Sequence, residues 1–501
     1  MTSTAEAPAA SSRAADQQFI RGIGPLAAIS MVVGTMIGSG IFIVSADMSR
    51  QLGQWGPGAL ILAWVVTGLM TVIGALAYAE LAGMMPNAGG QYVFLREGLS
   101  PGAGFLFGWT LFTVIQTGTI AAVAVAFARF LGVLVPAVSP DVFLSLGSFT
   151  MPGGPIELGL SNQRLVAIAM IVLLTASNIR GVRLGAAIQT TFTVAKTGAL
   201  AALILLGLTV FRQPGVAAAN FGSFWGTGDW TLAILPVMAA AMVGSLFSSD
   251  AWANVTFAAA EVRDPSRNVP RALAVGTITV TVLYVLANLS YLSVLPFAGT
   301  TDGATVFERG IQHATQDRVG TAAFAAMLGS AGAVVMAVAI LISTFGCNNG
   351  LILAGPRVFY AMARDRLFFE RAGRLHPTYR TPAFALVVQA VWASLLCLSG
   401  TYGELLNYVI FASLIFYFAT TLCVFTLRRR RPDAPRPVKA FGYPVLPALY
   451  MIAVAFVAAV LLIDPVQRKF SAFGLVIVAL GVPVYLFWRK GARPAGEGRA
   501  T

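Results

Sequence analysis

An all-α polytopic membrane protein of about twelve transmembrane helices, two of them discontinuous, is the fold class this sequence predicts, and three observations carry it. Of the 501 residues, 57% are hydrophobic and only 11% charged, with a mean hydropathy of +0.78. Apolar runs near the roughly 20 residues that span a bilayer recur along the whole chain. Two of these runs, at 33–42 and 244–252, are interrupted by residues that end helices. No soluble domain fits between the runs.

The chain begins with a polar stretch, 1–20, that lacks the apolar region of a signal peptide and reads as a disordered cytoplasmic tail. The first membrane helix then serves as its own insertion signal. Segments follow at about 24–50, 57–83, 102–134, 163–180, 187–210, 232–260, 271–296, 319–345, 382–400, 404–427, 443–463 and 471–488. The first five occupy 21–212 and the next five 230–430, and each set opens with an interrupted helix. An odd number per set inserts the second upside down relative to the first, the 5+5 inverted repeat of alternating-access carriers. A basic link, 428–439, precedes helices 11 and 12 at 440–490, which read as an appendage; 491–501 is a second cytoplasmic tail. Pro86, Gly89 and Gly90 punctuate the loop after segment 2. Pro270 sits where a first-turn proline is pre-organised to begin helix 7. The loop 297–318 is the longest polar stretch expected outside.

A net charge of +13 raises nucleic acid as a partner, and the distribution rejects it. With the N-terminus in the cytoplasm, roughly three quarters of all Lys and Arg fall on inner loops, as the positive-inside rule requires. They include Arg180, Arg183, Arg263, Arg267, Arg271 and the runs 357–380 and 428–439, whereas the outer loop 135–162 has none. The expected setting is the cell (inner) membrane, multi-pass, with both termini cytoplasmic and anionic lipid against the basic loops. Cys347, Cys397 and Cys423 offer neither metal-ligand spacing nor a disulfide framework, and His313 and His376 fall in loops. No metal, no cofactor and no catalytic constellation is expected, so the chain does not read as an enzyme.

Non-helical backbone at bilayer depth survives only where it lines a protein cavity, and paired broken helices point to a carrier's substrate site. In the first break, Gly38, Ser39 and Gly40 are poor helix formers. The half-helix beginning near Ile41 offers N–H donors and a partial positive charge to an anion such as a carboxylate. The half-helix ending near Ile37 offers orphan carbonyls to an ammonium. One break thus presents complementary ends to a zwitterion. A small-residue packing face through Gly34 and Gly38 is the alternative.

The second break places Ser245, Ser248, Ser249 and Asp250 at mid-membrane, flanked by Phe247 and Trp252. Asp250 either repairs freed backbone N–H groups or contacts a cationic group. Phe247 is either core packing or a lid. In segment 5, Gln189, Thr193, Lys196 and Thr197 share one helix face, which must meet protein or water rather than lipid. Lys196 is read either as snorkelling or as neutralising the carbonyls of the unwound helix, with a desolvated ammonium also able to carry a proton. Ser343 and Thr344 in segment 8 are candidate partners for Lys196, or else bond to their own helix. Gln116 is a further polar candidate in segment 3, where Arg129 is expected to snorkel at the outer end.

The string Gly-Thr-Met-Ile-Gly-Ser-Gly-Ile-Phe at 34–42 resembles the first helix of the amino acid–polyamine–organocation superfamily and, more narrowly, of its L-type amino acid transporter family. Similar strings stand at 78–81 with 86–92, at 178–196, at Trp252 with 261–272, at 343–350 and at 435–447, so the likeness spans 20–490. The resemblance implies a LeuT-type fold and sodium-independent amino acid transport. It implies that Ser39 and Gly40 bind the substrate carboxylate through backbone N–H groups, that carbonyls near Met36, Ile37 and Phe247 take the amine, that Phe247 gates, and that Lys196, with Ser343 near it, replaces a sodium ion.

Two departures matter. Many members carry glycine or another small residue where Asp250 stands, while some carry aspartate, which puts a simple large-neutral preference in doubt and leaves cationic or small polar amino acids open. Animal members are bonded to a glycoprotein through a cysteine in the outer loop between helices 3 and 4, and 135–162 has none. A free-standing prokaryotic member without a disulfide-linked heavy subunit is therefore expected, and whether it is a monomer stays open. Two rival readings stay open: a polyamine or organic-cation antiporter, favoured by Asp250 and opposed by the carboxylate-binding Gly38-Ser39-Gly40 turn, and a membrane-embedded amino acid sensor.

Overall fold

The computed structural model describes residues 19–151, 154–399 and 402–491. The expected tails lie outside the described residues, apart from residues 19, 20 and 491. Pro25, in the first turn, opens α1 (Pro25–Met36), where its missing N–H costs no hydrogen bond. After the break, a 3-10 turn at Gly40–Phe42 leads into α2 (Ser45–Gln51). Then come α3 (Gly56–Met84) and the short α4 (Gln91–Gly98). Ser100 caps α5 (Pro101–Thr110) by accepting from Ala103 N at 3.2 Å. A π-helical turn, Leu111–Ile115, joins α5 to α6 (Gln116–Leu134), so the third span is continuous but widened at its middle.

The outer loop expected at 135–162 is not irregular. It holds an antiparallel hairpin of β1 (Val142–Met151) and β2 (Gly154–Ser161). Helices α7 (Asn162–Ile179), α8 (Val182–Leu208) and the short α9 (Pro214–Gly222) follow. The second broken element is α10 (Ile234–Ser248), a non-helical stretch, and α11 (Asn254–Phe257). The chain continues through α12 (Pro265–Val294), α13 (Val306–Arg309), α14 (Val319–Arg364), α15 (Ala383–Cys397), α16 (Tyr402–Arg430), α17 (Val445–Ile463) and α18 (Arg468–Gly491).

Among the described residues, nine helical spans are long and apolar enough to cross a membrane; α1, α10 and α15 are apolar but shorter. The first two are short because they are halves of broken elements.

Two boundaries differ from the sequence reading for physical reasons. Helix α12 begins at Pro265 rather than Pro270: Pro265 takes the first-turn position, and Pro270 rides inside the helix. Helix α14 does not stop near 345 but runs on to Arg364, bent at Gly329 where φ is 67°. Its polar residues beyond 345, Asn348, Asn349 and Arg357, end the hydropathy signal yet are buried by protein.

Helix α1 packs against α8, α12 and α14, while α10 lies against α2, α3, α16 and α17. Two buried carboxylates tie the basic connections to this bundle. Glu261 pairs with Arg357 at 3.0 Å, both side chains 1% exposed. Glu80, also 1% exposed, takes Arg428 at 2.6 Å, Arg436 at 3.3 Å and the Ala440 N–H at 2.7 Å. A parallel bridge joins Ile23 to Val262, fixing the chain just before α1 beside the end of the second broken element.

Candidate functional site at the two helix breaks

A helix leaves its last four carbonyls without intrahelical donors. At the end of α1 each is met. Val33 O accepts from Ile37 N at 3.0 Å. Gly34 O accepts from Lys196 Nζ, and Thr35 O from Cys347 Sγ at 3.0 Å. Met36 O accepts from Gly38 N and from Tyr284 Oη, both at 2.8 Å. In the turn itself, Ile37 O takes Lys196 Nζ at 2.7 Å and Ser343 Oγ at 3.1 Å, and Gly38 O takes Ser343 Oγ at 3.2 Å.

Lys196 lies in the middle of α8, about 21 Å along the axis from Val182 at 1.5 Å per residue. Its side chain is 1% exposed, so it does not snorkel. A third bond runs from Nζ to Ser343 O at 3.3 Å. The rest of the polar stripe grips α1 lower down: Thr193 Oγ1 and Gln189 Nε2 donate to Ser30 O at 3.1 and 3.4 Å. Thr197 stays apart, half-buried, its hydroxyl without a partner among the described residues. Ser343 thus meets Lys196 through its carbonyl and the turn through its hydroxyl. Thr344 donates back to Ile340 O at 2.8 Å and takes no part.

Glycine lets the breaks meet. A Cβ on Gly40 would lie 2.1 Å from Ser248 Oγ and 3.0 Å from Ser248 Cα. Ser248 Oγ itself turns back to Gly244 O at 2.9 Å. Beyond α10, Ala251 adopts a φ of 64°, a conformation that strains a residue with a Cβ. Thr35 Oγ1 donates to Ala251 O at 3.1 Å, stitching the second break to α1. Ser39 is 1% exposed and Phe247 6%.

Asp250 accepts from Tyr417 Oη, and Tyr417 stacks on Trp252 at 5.3 Å and 23°. This pair borders two cavities of about 20 Å³ each. One is lined by Gln91, Gln116, Thr119 and Asn254 among Phe107, Leu111, Ile115, Phe257 and Phe416, the other by Thr71, Ser249, Trp252 and Tyr450, and Ser413 borders both. Each holds roughly one water and neither holds an amino acid, so the chamber is closed in this conformation. Asn254 Nδ2 and Ser413 Oγ, both in the first cavity, have no partner among the described residues. Gln116 Nε2 donates to Leu351 O at 2.6 Å. Arg129, at the outer end of the third span, donates to the exposed Gln316 O in the loop before α14.

Met36 and Ile37, the carbonyls expected to take an amine, each already accept two donors, which fills both lone pairs. Phe247 O accepts from Asp250 N at 3.1 Å. Sequence reasoning passed over Tyr284 because tyrosine counts as apolar in a hydropathy run. The signal was a polar-tipped stripe at Tyr284, Asn288 and Tyr291 within an apolar helix.

Residues 23–482 match the family model described as amino acid permease. This chain belongs to that family. The LeuT-type architecture, with discontinuous helices 1 and 6, comes with membership, and α1–α2 and α10–α11 are those elements here. Among relatives, the permease is 30% identical to the large neutral amino acids transporter small subunit 2 of Homo sapiens, covering 93% of this chain and 81% of the relative. It is 30% identical to the serine/threonine exchanger SteT of Bacillus subtilis (strain 168), covering 95% and 98%. It is 29% identical to the b(0,+)-type amino acid transporter 1 of Mus musculus, covering 89% and 82%. The permease is a multi-pass membrane protein.

Proposed function

We propose that the permease is a sodium-independent secondary transporter of amino acids that works by alternating access, with the substrate zwitterion held between the two breaks. One observation carries this reading: Lys196 Nζ donates to Gly34 O and Ile37 O, the carbonyls a coupling cation would otherwise neutralise. The Gly38-Ser39-Gly40 turn supplies backbone N–H donors to the carboxylate. The ammonium meets Met36, Ile37 and Phe247 carbonyls once the closed chamber opens and frees them, and Phe247 gates that opening. In proteoliposomes loaded with unlabelled substrate, uptake of labelled L-serine, L-leucine or L-arginine is expected to proceed equally in sodium and in choline buffer. An uptake that needs sodium overturns the role given to Lys196.

The small, largely apolar cavity beside Asp250 holds two polar groups without partners among the described residues, Asn254 Nδ2 and Ser413 Oγ, and these favour a small side chain with a polar tip, in keeping with a serine/threonine exchanger among the relatives. Asp250 itself favours a second reading, a cationic side chain that takes the place of Tyr417 at the carboxylate. Asp250→Gly separates them. Under the second reading the ratio of L-arginine to L-serine uptake falls at least about tenfold, the worth of one charge-assisted hydrogen bond. An unchanged ratio leaves Asp250 a purely structural group.

A polyamine or organic-cation antiporter and a membrane-embedded sensor are not favoured, since the named relatives are amino acid transporters and an exchanger. The setting is a cell (inner) membrane with both termini cytoplasmic, supported by the one-sided distribution of Lys and Arg. The carrier acts without a disulfide-linked heavy subunit, supported by the absence of cysteine from the loop 135–162 where one would attach.

A further inference from the structure

The first broken helix is held from two directions. On the near side of the break, α8 grips α1 through Gln189, Thr193 and Lys196. Helix α12 bonds to both sides, meeting Met36 before the break and Ile41 and Ser45 beyond it. Tyr284, Asn288 and Tyr291 recur at i, i+4 and i+7 and so share one face of α12. All three are at most 1% exposed. Tyr291 Oη donates to Ile41 O at 3.3 Å. Asn288 Oδ1 accepts from Ser45 Oγ at 2.7 Å, and its Nδ2 donates to Tyr284 O at 2.8 Å, which fixes the amide. Tyr284 Oη reaches Met36 O at 2.8 Å and Ser248 O at 3.0 Å, one carbonyl from each break. Its ring is set by an edge-to-face contact with Trp64, centroids 5.3 Å apart at 76°.

We propose that this face of α12 is the handle of the second half-helix, and that Tyr284 is the positioning residue that makes the two breaks change together. A phenol carries a single proton, so Met36 O and Ser248 O share one donor. Lys196 of α8 bonds Gly34 O and Ile37 O, whereas α12 bonds Met36 O before the turn and Ile41 O and Ser45 Oγ beyond it, so a displacement of α12 relative to α8 acts across the turn. The shared hydroxyl passes the same displacement to the second break. Only the transport consequence of this coupling rests on the function proposed above.

Amide hydrogen exchange of the purified, substrate-free protein tests the coupling without reference to transport. Tyr284→Phe deletes the hydroxyl alone. Exchange is expected to speed up about tenfold in both 36–45 and 245–251. Thr277→Val is the control: it removes a buried hydroxyl of the same helix that, among the described residues, bonds only to Leu273 O and Ala274 O, and both stretches should keep wild-type protection. Faster exchange in only one stretch, in neither, or to the same extent throughout the protein overturns the proposal. If Tyr284→Phe fails to fold, Tyr291→Phe should deprotect 41–45 and spare 245–251; deprotection of both or neither overturns the handle. In proteoliposomes, Tyr284→Phe should lower maximal exchange at least tenfold and Thr277→Val less than twofold. A wild type that carries no amino acid would sink the proposed function and leave the hydrogen-exchange result standing.

Discussion

Lys196→Ala is expected to lower amino acid exchange at least about a hundredfold while the protein still folds. The substitution leaves Gly34 O without its donor and Ile37 O with Ser343 Oγ alone. An orphaned buried carbonyl costs about 1–3 kcal/mol, Ile37 O loses its charged donor as well, and the cost falls on the turn whose geometry defines the chamber. Total stability is borne by the whole bundle and should fall by only a few kcal/mol. Labelled uptake into liposomes reads the first effect; far-ultraviolet circular dichroism and gel filtration read the second. Lys196→Met, which keeps the stem and removes the donor, should behave alike. Near-wild-type flux in either variant would falsify the assignment.

The largest effect on stability belongs to the Glu261–Arg357 pair. Both side chains are 1% exposed, and Arg357 meets both carboxylate oxygens at 3.0 Å. Removing one partner strands a buried charge, and about 3–5 kcal/mol of destabilisation is expected for Glu261→Ala or Arg357→Ala. Replacing both by apolar residues, Glu261→Leu with Arg357→Met, should restore most of that loss, because the desolvation cost goes with the charges. Thermal unfolding in detergent measures all three. Single variants within 1 kcal/mol of wild type would show that water reaches the pair.

The breaks were legible because Gly38, Ser39, Gly40 and the serines around Asp250 are poor helix formers inside apolar runs, a contrast that composition alone displays. Lys196 was legible for a similar reason: a polar stripe in a membrane helix must face protein. What hid was polarity that does not lower hydropathy, or that lowers it where protein rather than lipid surrounds the helix. Tyr284 and Tyr291 scored as apolar. Asn348, Asn349 and Arg357 ended the eighth segment on paper, although burial by neighbours carries α14 to Arg364. Glu80 and Glu261 entered only through strings shared with a family, since nothing in a single sequence says which arginine a distant carboxylate will find. The π turn at Leu111–Ile115 leaves no compositional trace, as π and α turns draw on the same residues.

The contacts of Glu80 bear on how such a carrier is assembled. Its side chain collects Arg428 from the end of α16, and Arg436 and the Ala440 amide from the strap that leads to α17. The strap itself is therefore part of the fold of the N-terminal half. Cutting the chain before the strap would strip a sequestered carboxylate in the third helix of two of its three counter-groups, so completion of the N-terminal half waits on residues synthesised hundreds of codons later.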